Sequence, residues 1–340
     1  MNLTTGYMGL ALRNPLVASA GPMTQTTERI GRLAEAGVAA VVLPSLFEEQ
    51  IRAEADRDTS LAEVGADSFG EAMTYLPDPD TSVWPHQYLS LIERAAGSGV
   101  PVIASLNGST AGGWTDYARA MQDAGAAAIE LNIYYLPGEL PPASPSPFLP
   151  GRDAEQRYID VLTTVKAVVS IPVAVKLNPY FSSFGEMAVR LDHAGADGLV
   201  LFNRFMQTDI DPATLTVSSG FKLSSPAEAT LPRSWIARLR GRVRASLAAS
   251  TGVETADDVV AYLLAGADVV MTTSALLRHG PEHVAVLLDG LTAWLETKGY
   301  GGAGEVRGML APAADTTRPA YGRPGYLSAI EQAKHAYAPR

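Results

Sequence analysis

Short apolar runs alternate along this chain with segments in which apolar residues recur at helical spacing. The junction between the two patterns repeats five times: a helical segment ends in a small residue and Gly, and an apolar run follows at once. Glycine suits the left-handed position that closes a helix, and continuously apolar strands are typical of a parallel sheet buried on both faces. The five strands predicted in this way are 38–43, 100–106, 126–132, 196–202 and 267–272.

Three further segments, 15–20, 172–177 and 243–249, complete a set of eight strands. Helices predicted over 154–170, 232–240 and 282–297 fit between or after them. Eight strands alternating with helices over roughly 300 residues indicate an α/β fold of the (β/α)8 TIM-barrel type. A doubly wound sheet is the alternative, but the Gly-x-Gly-x-x-Gly turn of a Rossmann domain is absent. We expect a single barrel over 1–311 and a C-terminal tail over 312–340 with a short helix at 328–337.

Two loops after predicted strands are long. Residues 44–82 follow the second strand, and 137–150, with six prolines, follow the fourth. Loops at the carboxyl ends of strands form the active-site walls and lids of barrel enzymes, which favours a functional role. A surface insertion that contacts a partner subunit is the alternative.

Composition narrows the classes of function. The net charge is −10 and basic residues are not clustered, which argues against a nucleic-acid partner. The absence of cysteine excludes disulfides, thiolate nucleophiles and cysteine-ligated iron–sulfur clusters. No signal-peptide pattern and no apolar run of membrane-spanning length occurs, so we expect a cytoplasmic protein without membrane contact.

Polar residues at the carboxyl ends of barrel strands point into the catalytic mouth. This rule selects Ser19, Ser45, Ser105, Asn107, Glu130, Asn132, Lys176, Asn178, Asn203, Thr272, Thr273 and Ser274.

Lys176 interrupts an apolar strand in a chain with only five lysines among 26 basic residues. A buried ammonium requires a partner anion, which is either a bound cofactor or Glu130 on the neighbouring strand. Asn132 and Asn203 could read the edge of a planar heterocycle, because an amide both donates and accepts hydrogen bonds. The turns at 250–253 and 272–274 follow strands seven and eight, where barrels often bind phosphate.

The histidines offer little chemistry. His279 and His283 match the His-x-x-Glu-His pattern of some zinc peptidases, but Gly280 and Pro281 interrupt the helix that this pattern needs. We expect no metal site there. His86 adjoins the first long loop, and His193 lies on a helix before a strand.

Several segments, in order, resemble the dihydroorotate dehydrogenase family, in its class 1-like form. They are Gly9 to Gly21, Ile103 to Thr110, Glu130-Leu131-Asn132, Val173 to Phe181 around Lys176, Asn203, Gly252 to Thr255, and Ala265 to Asp268 followed by Ser274 to Leu276. The resemblance extends from about residue 3 to 311.

The resemblance implies FMN across the barrel mouth, with its phosphate at Gly252, Thr273 and Ser274. Lys176 would contact the N1/O2 edge of the flavin and stabilise negative charge on the reduced ring. Asn132 and Asn203 would reach flavin or substrate. The isoalloxazine or ribityl chain would be lined by Ser19, Ala20, Ser105 and Ser225, and the substrate by Glu71, Asn107 and Asn203.

The chain departs from the family pattern at several places. Tyr135 occupies the position of the Cys or Ser that removes a proton, and a phenol is a poor base unless a cation such as Lys176 lowers its pKa. Pro44 stands in place of an expected lysine, and Glu71 in place of an asparagine that holds substrate. Thr251 and Thr273 replace glycines of the phosphate turn.

The sequence thus predicts an FMN oxidoreductase that passes hydride between a small dihydro-heterocycle, with dihydroorotate the first candidate, and flavin N5. The catalytic residues would be Lys176, Tyr135 and Asn132. Two alternatives stay open: an FMN-binding electron-transfer or regulatory subunit, and a flavin-free lyase or aldolase that uses Lys176 as a Schiff-base nucleophile. A homodimer is expected, with either a soluble electron acceptor or an acceptor protein.

Overall fold

The computed structural model describes residues 1–51, 85–108, 114–134, 149–204, 208–220, 222–313 and 319–336. The predictions for Glu71, for Tyr135 and for most of both long loops lie outside these residues.

Eight parallel strands close into a barrel, which confirms the predicted (β/α)8 fold. A hairpin of β1 (Thr5–Tyr7) and β2 (Leu10–Leu12) precedes the barrel. The barrel strands are β3 (Leu16–Ala18), β4 (Ala40–Phe47), β5 (Val102–Gly108), β6 (Ala128–Ile133), β7 (Val173–Leu177) and β8 (Gly198–Leu201), followed, after a second hairpin, by β11 (Ser246–Ala249) and β12 (Val269–Thr272). The second hairpin consists of β9 (Thr208–Asp211) and β10 (Thr216–Ser219), and was not predicted.

Helices surround the barrel and extend into the tail. They are α1 (Thr27–Ala36), α2 (Pro85–Ala95), α3 (Trp114–Asp123), α4 (Gly151–Lys166), α5 (Phe184–His193), α6 (Thr230–Leu239), α7 (Ala256–Ala265), α8 (Ser274–His279), α9 (His283–Lys298), α10 (Ala303–Val306) and α11 (Arg323–Ala336). The prediction of a helix over 154–170 was wrong at both ends. The side-chain oxygen of Gln122 accepts hydrogen bonds from the amides of Ser170 and Ile171, which holds this segment outside the helix.

The five glycines of the repeated junction all have positive φ, as a helix-closing residue requires. Each strand nevertheless begins two residues later than predicted. The first residue after the glycine still donates to the helix, as Val38 does to the carbonyl of Leu33. The second residue, Ala39, donates to the carbonyl of Leu16 and so starts the approach to the sheet. The apolar run therefore includes the helix cap as well as the strand.

The barrel interior is filled partly by residues of the N-terminal hairpin rather than by the barrel strands alone. Inward positions are alanine on four strands, at Ala40, Ala128, Ala174 and Ala248, where many barrels carry larger branched residues. The first hairpin inserts Tyr7 and Met8 into the same cluster. Gly198 makes room for this insertion, because a Cβ there would lie 3.0 Å from Met8 Sδ. The N-terminal hairpin is thus part of the core.

Asp268, at the base of the barrel just before β12, forms ion pairs with Arg240 after α6 and with Arg307 after α10. Its Oδ1 lies 3.0 Å from Arg240 Nη1 and 3.1 Å from Arg307 Nη1, and its Oδ2 accepts a hydrogen bond from the amide of Leu247. Breaking a buried network by removing one member leaves uncompensated charge.

We expect Asp268→Ala to lower the free energy of unfolding by about 3 to 5 kcal/mol, because two guanidinium groups lose their carboxylate. Chemical denaturation measures the change. Glu331→Ala removes the exposed pair with Lys334 and serves as the control, with an expected change below about 1 kcal/mol. Equal effects of the two substitutions would contradict this role of Asp268.

The first long loop begins later than predicted. Strand β4 continues through Phe47, with a register shift between Val42 and Ser45 against β5, so residues 44–47 belong to the strand.

Among the described residues, no helix is long and apolar enough to cross a membrane. The tail contacts the barrel where Arg238 donates to the carbonyl of Tyr321. The division at residue 311 stays a prediction.

Candidate active site

Polar side chains from neighbouring strands meet at the barrel mouth. Asn107 on β5 is paired in register with Asn132 on β6, and Asn132 is paired with Lys176 on β7. All three side chains are buried. The structure therefore brings together residues that the sequence selected one strand at a time.

Lys176 forms a buried ion pair. Its Nζ lies 3.2 Å from Glu130 Oε1, and the two residues are 8% and 1% exposed. The other carboxylate oxygen, Glu130 Oε2, has no hydrogen-bond partner among the described residues. The carboxylate alternative for the partner of Lys176 is therefore present in the structure. Desolvating two charges is favourable only when their remaining hydrogen bonds are also satisfied, and this pair is incomplete.

Asn132 and Asn203 also meet. Asn203 Nδ2 donates to Asn132 Oδ1 at 2.6 Å, although the residues are 71 positions apart. The backbone amide of Asn203 donates to the carbonyl of Leu177, which fixes the turn after β8. Each amide keeps further donors and acceptors, so the pair can read a ligand edge that carries both kinds of group.

Ser105 lies at the floor of the mouth. Its Oγ is 2.8 Å from Ser45 Oγ, and its amide donates to the hydroxyl oxygen of Tyr88 on α2. Burial raises the pKa of Tyr88, so this phenol is a neutral hydrogen-bonding group and holds β5 in place.

The two turns predicted to bind phosphate are joined by Ser224, which was not predicted from the sequence. Ser224 Oγ accepts from the amide of Gly252 at 3.3 Å and lies 3.0 Å from Ser274 Oγ. The amide of Ser224 donates to the same Ser274 oxygen. The segment Ser224-Ser-Pro-Ala-Glu228 has the sequence signature of a helix start, and this signature was the signal available in the sequence.

Two threonines replace glycine at these turns, and both hydroxyls donate to backbone carbonyls. Thr251 Oγ1 donates to Phe202 at 3.2 Å, and Thr273 Oγ1 donates to Ser19 at 3.0 Å. Thr251 has φ of 83°, a region that favours glycine. The threonines thus cross-link strand ends around the mouth.

The other predicted residues differ in their surroundings. Ser19 is buried and Ala20 is half-buried beside it. Ser225 is exposed and caps the turn Pro226–Ala229 together with Glu228, so its hydroxyl already has a partner. Asn178 donates to the hydroxyl of Tyr158 on α4 and accepts from the amide of Tyr180, which commits it to the barrel wall.

The chain matches a family of known proteins over most of its length. The family model described as dihydroorotate dehydrogenase matches residues 2–295. The chain belongs to the dihydroorotate dehydrogenase family. It is therefore a member of a family of flavin-dependent oxidoreductases, as the sequence resemblance implied.

Relatives in this dihydroorotate dehydrogenase family align over most of the chain. A protein of Methanothermobacter thermautotrophicus, named dihydroorotate dehydrogenase B (NAD(+)) catalytic subunit, is 27% identical over 90% of this chain and 98% of its own length. Proteins of the same name are 29% identical in Methanocella arvoryzae, over 88% and 94%, and 26% identical in Pyrococcus abyssi, over 90% and 98%.

Behind the two turns after β11 and β12 lies a cluster around Glu254. Its carboxylate oxygens contact His279 Nε2 at 2.6 Å and Arg278 Nη1 at 2.5 Å, and its carbonyl contacts His283. The helix breaks between the histidines, as predicted. This cluster does not form a metal site: among the described residues, no three His, Cys, Asp or Glu side chains are placed so that they could hold a metal ion. Burial acts to raise the pKa of Glu254, but hydrogen bonds from His279 and Arg278 outweigh it and the pKa is lowered.

A folded-state pKa below the ordinary value of 4.5 means that the Glu254 carboxylate stabilises the fold above that pH, and that this stabilisation is lost as pH falls through the lowered pKa. We expect Glu254→Gln to be destabilising near about pH 6, with the difference from wild type shrinking below about pH 4. Denaturation curves across this range measure it, with the exposed Glu35→Gln as control. A pH-independent difference would contradict the assignment.

A cleft of about 1010 Å³ opens beside Asn203 and Thr251. Its walls include Tyr180, Phe202 and Arg204, and the second hairpin closes one side. Arg204 pairs with Glu228 at 3.0 Å and donates to the carbonyl of Lys222. The volume is that of a small-molecule site, and Asn203 belongs both to this cleft and to the asparagine pair at the barrel mouth.

Proposed function

We propose that this chain is an FMN-dependent oxidoreductase that oxidises dihydroorotate or a closely related dihydro-heterocycle to the ring-desaturated product. The substrate is taken from the names of the aligned relatives. The observation that carries the proposal is the grouping of Lys176, Asn132 and Asn203 at the mouth of a barrel that belongs to this family.

The residues around the mouth fit a flavin. Lys176 supplies a fixed cation, and the two asparagines supply an amide edge with donors and acceptors. Gly252 and the first amides of α8, at Thr273 and Ser274, would hold the phosphate, because the first amides of a helix have no acceptor within it. Gly21 permits close approach of the backbone: a Cβ there would lie 2.6 Å from Thr273 Cγ2. Ser19, Ala20, Ser105 and Ser225 are proposed to line the ring or ribityl chain.

When bound, FMN would supply a hydride acceptor at N5. Lys176 would face the N1/O2 edge and stabilise negative charge there, an electrostatic role that needs a charged and fixed ammonium. Asn132 and Asn203 would orient the substrate and flavin edges. Asn107 and Glu71 are proposed to contact the substrate, and Tyr135 to accept the proton from its ring carbon.

Anaerobic addition of dihydroorotate to the FMN-loaded protein tests the proposal. We expect the flavin absorbance band to bleach and orotate to form in equal amount. A flavin band that stays oxidised with dihydroorotate, yet is reduced by dithionite, would favour the electron-transfer subunit. A colourless protein trapped by borohydride with a carbonyl substrate would favour the aldolase alternative, although an ion-paired Lys176 is a poor nucleophile.

Tyr135→Phe tests the proton acceptor. It removes the only ionisable group of that side chain at almost unchanged size, so we expect flavin reduction to slow by about 10²- to 10⁴-fold. Stopped-flow absorbance gives the rate, and Tyr134→Phe is the matched control. A rate within about twofold of wild type would mean that a group other than Tyr135 accepts the proton.

The proposal also covers where the electrons go after flavin reduction. The relatives are named as NAD(+)-linked catalytic subunits, and this chain has no cysteine to hold an iron–sulfur cluster. We propose that electrons leave to a soluble acceptor or to an acceptor protein, and that the chain forms a homodimer in the cytoplasm. Light scattering on the purified protein measures the oligomeric state.

A further inference from the structure

The ion pair between Lys176 and Glu130 leaves one buried carboxylate oxygen unpaired. Glu130 uses one carboxylate oxygen to contact Lys176, while Oε2 is buried without a hydrogen-bond partner among the described residues. Tyr7 is also fully buried, and its hydroxyl likewise has no partner there. A buried acceptor and a buried donor that both lack partners are costly separately, at about 1 to 3 kcal/mol each.

The fold brings these two groups into one compartment. Glu130 and Ala128 face the barrel interior on alternate positions of β6, and Tyr7 packs in the same interior cluster as Ala128 and Ala174. Ala174 is the register partner of Glu130. Met8, the neighbour of Tyr7, reaches Gly198, which is paired with Ala174. The N-terminal hairpin therefore enters directly below the layer that holds Glu130 and Lys176.

Electrostatics agree with this proximity. The pKa of Tyr7 is raised well above its usual value, first by burial and then by the negative charges of Glu130 and Asp268. The phenol is thus a neutral donor, which is the group that a buried carboxylate oxygen lacks.

We propose that Glu130 is a positioning residue for Lys176, that Tyr7 holds Glu130 from below through one internal water, and that this pair sets the positive charge that the mouth presents to bound flavin. The inference rests on the proposed FMN function. Glu130 fixes Lys176 Nζ and offsets part of its charge. Removing the negative charge while keeping the shape makes the site more positive, which favours the reduced flavin.

The two-electron reduction potential of the bound flavin is the test. We expect Glu130→Gln to increase the preference for reduced over oxidised FMN about tenfold, which is about 30 mV more positive for a two-electron couple. Glu130→Asp keeps the charge and should stay within about threefold of wild type. Tyr7→Phe should shift the potential in the opposite direction to Glu130→Gln, by about two- to fivefold, because the carboxylate charge of Glu130 is then no longer partly offset by a donor from below. Tyr158→Phe, which removes another buried phenol outside the barrel, should leave the potential unchanged.

An unchanged or more negative potential in Glu130→Gln would overturn the proposal, and an unchanged potential in Tyr7→Phe would overturn the part played by Tyr7. If the wild-type protein binds no FMN, the proposed function fails and the network is tested separately by unfolding. A double-mutant cycle of Tyr7→Phe and Glu130→Gln should then show coupling of at least about threefold in the unfolding equilibrium. Additive effects would overturn the network.

Discussion

Substitution of Lys176 by Met should slow anaerobic flavin reduction by about 10²- to 10³-fold, the usual effect of removing one preorganised group that stabilises developing charge. Met keeps most of the side-chain volume, so the loss reports the ammonium. Stopped-flow absorbance at the flavin band gives the rate, and the FMN content of each preparation corrects for incomplete loading.

The same substitution should also destabilise the protein, because Glu130 is left buried and unpaired. We expect a decrease of about 3 to 5 kcal/mol in the free energy of unfolding. The double variant Lys176→Met with Glu130→Gln should recover much of this stability, since no buried charge then remains, without recovering the rate. Recovery of the rate would contradict a role for the Lys176 charge.

Lys166→Met is the matched control for Lys176. Lys166 also forms an ion pair, with Asp197 at 2.6 Å, but it projects from α4 on the outside of the barrel. We expect a smaller loss of stability and a flavin reduction rate close to wild type. A comparable loss of rate in both variants would mean that the effect is structural.

Substitution of Gly252 by Ala should abolish tight FMN binding, with a loss of at least about 100-fold in affinity. Gly252 has φ of 71°, and a Cβ there would lie 2.8 Å from both the amide nitrogen of Ala229 and the carbonyl oxygen of Ser225. Backbone atoms cannot give way as a flexible side chain can, so the turn itself must move. The contact through Ser224 that joins the two turns would move with it.

Gly299→Ala separates the effect of the left-handed backbone from that of the close contact. Gly299 has φ of 77°, but a Cβ added there would meet nothing within 4 Å. We expect both variants to lose about 1 kcal/mol or more of stability from the backbone conformation, and only Gly252→Ala to lose FMN affinity. Isothermal titration with FMN measures the affinities. Unaltered affinity in Gly252→Ala would place the phosphate elsewhere.

The barrel could be predicted from the sequence because its signal is local and repeated. Each junction combines a helix-closing glycine such as Gly37 with a buried strand, and the five copies left few alternative topologies. Strand starts were predicted two residues too early because apolar character cannot separate a helix cap from the strand after it. Val38 is apolar and buried in either role.

The parts of the site that were missed depend on distant contacts. Ser224 joins Gly252 to Ser274 only after three segments have packed together. Tyr7 looks like an ordinary strand residue until the alanine-lined interior accommodates it. Arg278, Glu254 and His279 likewise form a cluster that spacing alone gave no reason to expect.

The structure shows what the threonines at 251 and 273, which stand where the family pattern favours glycine, do in the fold, and the sequence alone could not show this. Their hydroxyls bond to the carbonyls of Phe202 and Ser19, so each threonine ties one strand end to the next. The exchange of glycine for threonine thus keeps the turns in place by side-chain contacts, with the strain of a left-handed threonine at 251.

The most direct test of the central claim is a titration of FMN fluorescence with the purified apoprotein. If the mouth around Lys176 holds the flavin, fluorescence should change to an end point at one FMN per chain, with a dissociation constant of about 1 μM or lower, and Lys176→Met should weaken binding less than Gly252→Ala does. No change of fluorescence at concentrations up to about 100 μM would contradict the account.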